Sequence, residues 1–175
     1  MTLKTFAKVN LRAMFVAALT CVVLAGSLSA FALDTRRGKA VAAVTIVTDG
    51  LIREFNSTTF VGLTTVSITV PANKVQLVEA SFTADSSCQG PAGQNWCSLR
   101  MEADGVEMSP ATGLSYAFDG VGDGNDYFEG HAMKRSILLG PGTHSITVAG
   151  AVSLSGVSFF LDDWSFTITQ YNNGK

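Results

Sequence analysis

Residues 96–105, WCSLRMEADG, decide how the rest of the chain reads. Cys97, Leu99, Met101 and Ala103 alternate with Ser98, Arg100 and Glu102, and Asp104-Gly105 follows at once. A period of two sends alternate side chains to opposite faces of a strand, and Asp-Gly is a tight hairpin signal because both residues tolerate positive φ. The pattern recurs outward from this stretch. Val66, Ile68 and Val70 alternate with Ser67 and Thr69; Val78, Ala80 and Phe82 with Glu79, Ser81 and Thr83; Ile146 and Val148 with Ser145 and Thr147. Near the C-terminus Phe160, Trp164, Phe166 and Ile168 are expected to line one face. Turn formers stand between these runs at Ala72-Asn73, Gly90-Pro91, Gly120 to Gly124 and Gly140-Pro141-Gly142. Strands are therefore expected near residues 40–48, 58–62, 64–70, 75–84, 96–104, 127–139, 143–154 and 157–170, with no helical period among them. The expected fold is all-β: an antiparallel two-sheet sandwich, jelly-roll-like, of about eight strands.

The chain has 175 residues with 12 Lys+Arg and 14 Asp+Glu, enough for one ordinary domain. Its first 32 residues differ from the rest. They hold Lys4, Lys8 and Arg12, no acid, an apolar run over residues 13–25 and the ending Ser29-Ala30-Phe31-Ala32. A basic start, a short apolar stretch and an A-x-A site are the three parts of a cleaved, helical secretory signal. The competing reading, an N-terminal membrane anchor, is weakened by Gly26, Ser27 and Ser29 at its outer end. The division expected is 1–32 signal peptide, 33–39 flexible mature N-terminus and 40–175 a single sandwich domain, secreted or periplasmic. No second long apolar run follows, so no membrane span is expected after cleavage. The mature part is acidic and has no basic stripe, which argues against nucleic acid as a partner.

Cleavage removes Cys21 and leaves Cys88 and Cys97. Two cysteines in an oxidising compartment most simply pair, and the turn formers of residues 89–96 let the chain double back. A metal or redox pair is the alternative; the spacing and the lack of clustered His or further Cys speak against it.

The blocks SSC (86–88), WCSLRMEADGVEMSP (96–110), AFDG (117–120), GPGTHSITV (140–148) and FFLDDWSFTI (159–168) resemble a family of secreted bacterial proteins. The resemblance spans residues 71–170 and implies a jelly-roll-like sandwich without bringing an activity. GTHSITV followed by an aromatic last strand is also loosely similar to the closing hairpin of sugar-binding sandwich modules.

Three groups of residues are candidates for function. Asp119, Asp123, Asn125, Asp126 and Glu129 put five oxygen-bearing side chains on a Gly-rich loop, which reads either as a Ca²⁺ site or as a solvated turn. Trp96, Tyr116 and Tyr127 are candidate stacking surfaces for a glycan, or else core and rim residues. Asp162 and Asp163 read as structural polar residues. Alternation sets Asp162 on an apolar face, so either a bulge turns it outward or Arg100, Arg135, a backbone N–H or a metal holds it. Catalytic residues are not indicated: His131 and His144 are the only histidines, and neither accompanies a nucleophile motif. The expected function is an exported, non-enzymatic binding module for a glycan or a cell-surface component. The alternatives are a structural or adhesive subunit of a surface assembly, and a hydrolase with an unrecognised site.

Overall fold

The computed structural model describes residues 35–91, 93–122 and 127–173; the segment expected to be a signal peptide and the centre of the acidic loop lie outside them. Ten strands follow one another: β1 Gly38–Asp49, β2 Arg53–Phe55, β3 Val61–Val70, β4 Gln76–Gln89, β5 Trp96–Ala103, β6 Val106–Glu107, β7 Asp119–Gly120, β8 Glu129–Leu139, β9 Gly142–Val152 and β10 Ser158–Asn173. The helical content of the described residues is one 3₁₀ turn, Gly113–Ser115. One sheet runs β1-β10-β4-β8, with β2 also on β10; the other runs β3-β9-β5-β6, with β7 also on β5. Every paired strand is antiparallel. With β2 and β7 set aside, the first strand pairs the last, the second the next to last, and so inward. That interleaving is the jelly roll.

Local expectations were met where alternation was regular and missed where it was short. Asp104 (φ 51°) and Gly105 (φ 79°) form the β5–β6 turn with both central residues at positive φ, as a type I′ hairpin requires. Residues 58–62 do not form a separate strand: β3 begins at Val61, and the short strand that precedes it is β2. β2 exists because β1 leaves β10 at Asp49, and Phe55 then pairs with Phe159 and enters the core. Its ring demands a bare backbone opposite, since a Cβ added at Gly150 would lie 3.0 Å from it. At the N-terminus β1 begins at Gly38, two residues inside the segment expected to be flexible.

The core lies between the sheets. Phe82 is its hub, with ring centroids of Trp164, Phe118 and Phe166 at 5.9, 6.1 and 6.4 Å. Leu99, Met101, Ile146 and Val148 close it from the second sheet. The inward residues of β10 are Phe159 and Leu161, then Trp164, Phe166 and Ile168, so Phe160 does not share the face of Trp164. A bulge is the reason. Asp162 pairs Asp85 and Ser165 pairs Thr83, leaving two residues of β10 opposite Ala84 alone. An extra residue inverts the in–out sense beyond it. Cys88 and Cys97 are bonded (Cα–Cα 5.8 Å). Although near in sequence, they stand on β4 and β5, one in each sheet, so the bridge staples the two layers.

Candidate functional site

The bulge that keeps Trp164 buried pushes Asp163 outward in the left-handed region (φ 44°), where its N–H is held by Asp162 Oδ1 at 2.9 Å. Neither Arg100 nor Arg135 reaches Asp162. Arg100 pairs with Glu102 at 2.6 Å and lies over the Phe60 ring, while Arg135 covers the Tyr116 ring and donates to Lys134 O. The bulge, with its backbone N–H, is the solution adopted. It brings two acids together across strands, since Asp162 lies directly opposite Asp85. Like charges in that position oppose folding.

Beside them lies an open groove of about 310 Å³, lined by Thr83, Ala84, Asp85, Gly130, His131, Ala132 and Asp163. Its floor is made of small residues because Thr83 pairs with Ala132 and Asp85 with Gly130. The absent side chain at Gly130 leaves room for Asp85, whose Oδ1 is 3.7 Å from where a Cβ would sit. Asp163 leans over Gly50 in the same way, at 3.2 Å. Neither carboxylate accepts a hydrogen bond from a described residue. An acidic, open, small-floored groove suits a ligand rich in hydroxyl or ammonium donors.

Behind the groove three strands meet in a polar chain that the sequence did not disclose. Ser86 on β4 donates to Asp119 Oδ2 on β7 at 2.7 Å and contacts His131 Nδ1 on β8 at 2.9 Å. With its proton given to Asp119, Ser86 can only accept from His131, so Nδ1 carries a hydrogen and Nε2 keeps its lone pair when the ring is neutral. His131 Nε2 has no hydrogen-bond partner among the described residues. A hydrolytic triad needs serine to donate to histidine. Here the order is reversed and Ser86 is fully buried, so the chain orients His131 and does not arm a nucleophile. Phe118 packs on the same imidazole, centroid to centroid 5.6 Å.

The other expected residues are dispersed. Trp96 is half-buried and donates its indole N–H to Leu114 O at 2.7 Å. Tyr116 is half-buried beneath Arg135, whereas Tyr127 is 73% exposed on the approach to β8, with Phe128 beside it also exposed. Of the acidic loop, Asp119 is tied to Ser86 and Glu129 is exposed at the start of β8; Asp123, Asn125 and Asp126 lie outside the described residues. Among the described residues no group of three His, Cys, Asp or Glu side chains is placed to hold a metal ion. Asp85 and Ser86 were missed because only strand register brings them to Asp163 and His131. The one signal in the chain was the adjacent pair Asp162-Asp163 inside an otherwise apolar strand.

His144 belongs to a different place, the β8–β9 turn. Its Nδ1 meets Asp104 Oδ2 at 2.7 Å and its Nε2 meets Gly140 O at 2.9 Å. Both partners are acceptors, so the protonated ring satisfies both contacts at once. The bond to Asp104 raises the His144 pKa above its usual value, with burial opposing, and the bond to His144 lowers that of Asp104.

No protein-family model and no curated protein sequence matches the chain. Among solved structures it is similar to dimeric latent PorU from Porphyromonas gingivalis, with a TM-score of 0.47 and 14% identity over 79% of this chain. The chain spans 14% of the length of that one.

Proposed function

We propose that the chain is an exported binding module of the β-sandwich class and that its ligand is a glycan seated at the bulge groove. The observation that carries this reading is the pair Asp85 and Asp163, two carboxylates that accept no hydrogen bond from a described residue and face one small-floored groove. Carboxylates left unsatisfied by the described fold are explained by a ligand that uses them. Sugar hydroxyls donate readily to carboxylates, and the C–H face of a pyranose stacks on an exposed aromatic ring. Tyr127 supplies that ring. It stands three residues before Gly130, about 10 Å along an extended chain. Trp96 and Tyr116, whose N–H and ring face are engaged within the fold, shape the neighbouring loop. The paired Cys88 and Cys97 and the A-x-A ending of the first 32 residues support an oxidising, extracytoplasmic location. No described helix is long and apolar enough to cross a membrane.

The test is a glycan array followed by calorimetry on any sugar retained. Binding is expected to weaken at least tenfold in the Asp85→Asn/Asp163→Asn variant and in Tyr127→Ala, with melting temperature no lower than that of the wild type. An array without a hit, or affinity indifferent to all three changes, would refute the assignment.

A further inference from the structure

Among the described residues the first sheet has one long side left open: β1 terminates it, paired to β10 along one edge only. Among the described residues the other sheet edges are blunted. β8 carries Lys134 and is bridged by Ser109, whose N–H and C=O both bond Ser136; β3 presents Thr65, Ser67 and Thr69 outward; β6 is two residues long. Over residues 40–48 β1 has no charge and no proline, and Thr48 is its one exposed hydroxyl. Val44 and Ile46 on its outer face are 53% and 61% exposed, and Val41 is exposed as well. An open, apolar edge of this kind is a template for another strand.

We propose that the occupant is a second copy of this chain, joined β1 to β1 in antiparallel fashion across a two-fold axis at Thr45. The register follows from facing. Ala43, Thr45 and Val47 are opposite Gln170, Ile168 and Phe166, inward residues of β10, so Val44 and Ile46 face outward. Irregularities between Gly38 and Ala43 confine regular pairing to residues 43–49. Antiparallel neighbours share a face, and an isologous contact pairs each residue with its own symmetry mate's partner. With Thr45 on the axis, Val44 of each copy meets Ile46 of the other on the outer face. Ala43 meets Val47 on the inner face. Moving the axis to Val44 sets Ile46 against the irregular residue Ala42, and moving it to Ile46 sets Asp49 against Ala43. Only the Thr45 register makes apolar pairs on both faces. Such a seam is small beside the roughly 1,200–2,000 Å² of a standard interface, so association belongs in the micromolar to millimolar range.

Sedimentation of the exported protein between about 10 μM and 1 mM, a range set by that weak association, is expected to show the mean mass rising from one chain toward two. Val44→Lys/Ile46→Lys, at exposed positions, should stay folded by circular dichroism and weaken the dimer at least tenfold. Thr45→Cys should cross-link to dimer on mild oxidation, because a paired residue on the axis lies within disulfide reach; Val75→Cys, an exposed control elsewhere, should not. A single-chain mass throughout, or a dimer that survives the lysine variant, would overturn the proposal.

Discussion

The imidazolium of His144 makes the stability of the sandwich depend on pH in a defined direction. His144 joins the β8–β9 turn to Asp104 at the β5–β6 turn, and Ser145 adds its N–H to Asp104 Oδ1 at 2.8 Å. The folded pKa of His144 is raised and its unfolded value is about 6.5. Its contribution is therefore complete below about pH 6.5 and is lost as pH rises through the folded value. The folded pKa of Asp104 is lowered, so its contribution is present above about pH 4 and is lost as pH falls through that lowered value. The pair stabilises most between these limits. The Asp104 side chain is 47% exposed and that of His144 15%, so solvent screening holds the pair to about 1 kcal/mol. For a domain of this size that is about 3–4 °C in melting temperature. The assay is thermal unfolding of wild type and His144→Gln from pH 4.5 to 9, read as the difference between the two so that other titrating groups cancel. A gap of about 3 °C near pH 5.5, narrowing as pH rises from about 6.5 through the folded pKa, is expected. Asp104→Asn, which keeps the turn because asparagine tolerates positive φ, should close the gap at every pH. A gap that is constant with pH, or widest at pH 8, would refute the reasoning.

Three further outcomes follow from the fold. Cys88→Ser should cost about 2–3 kcal/mol in urea unfolding and keep its β-sheet circular dichroism, since a short closed loop is released at a junction between sheets; a change below about 0.5 kcal/mol would show that the staple is idle. Gly150→Ala should cost about 1–3 kcal/mol because its methyl meets the Phe55 ring at 3.0 Å, and Phe55→Leu in that background should recover part of the loss. Asp163→Gly should raise the melting temperature, as it relieves a left-handed residue (φ 44°), while removing groove binding; destabilisation would mean that the carboxylate has a structural partner.

What the chain determined by itself is what neighbouring residues decide among themselves. Alternation over 66–70, 78–83, 97–103 and 145–148 specified strands, because in-and-out facing is a property of consecutive residues. Asp104-Gly105 specified a turn through its own backbone freedom, and Cys88 and Cys97, set apart from Cys21 by turn formers between them, form the expected pair. The tertiary structure decided everything that depends on which strands lie side by side. Phe160 and Trp164 look alike in sequence, but a bulge against Ala84 sends them to opposite faces. The bridge from Cys88 to Cys97 looks local, yet the jelly roll divides its ends between two sheets. Asp119, Ser86 and His131 stand on β7, β4 and β8, and the groove needs β4, β8 and β10 in one register. A slip of a single residue in any of these strands would turn every one of those side chains to the other face, which is why the site is written in the register of the sheet and not in any one segment.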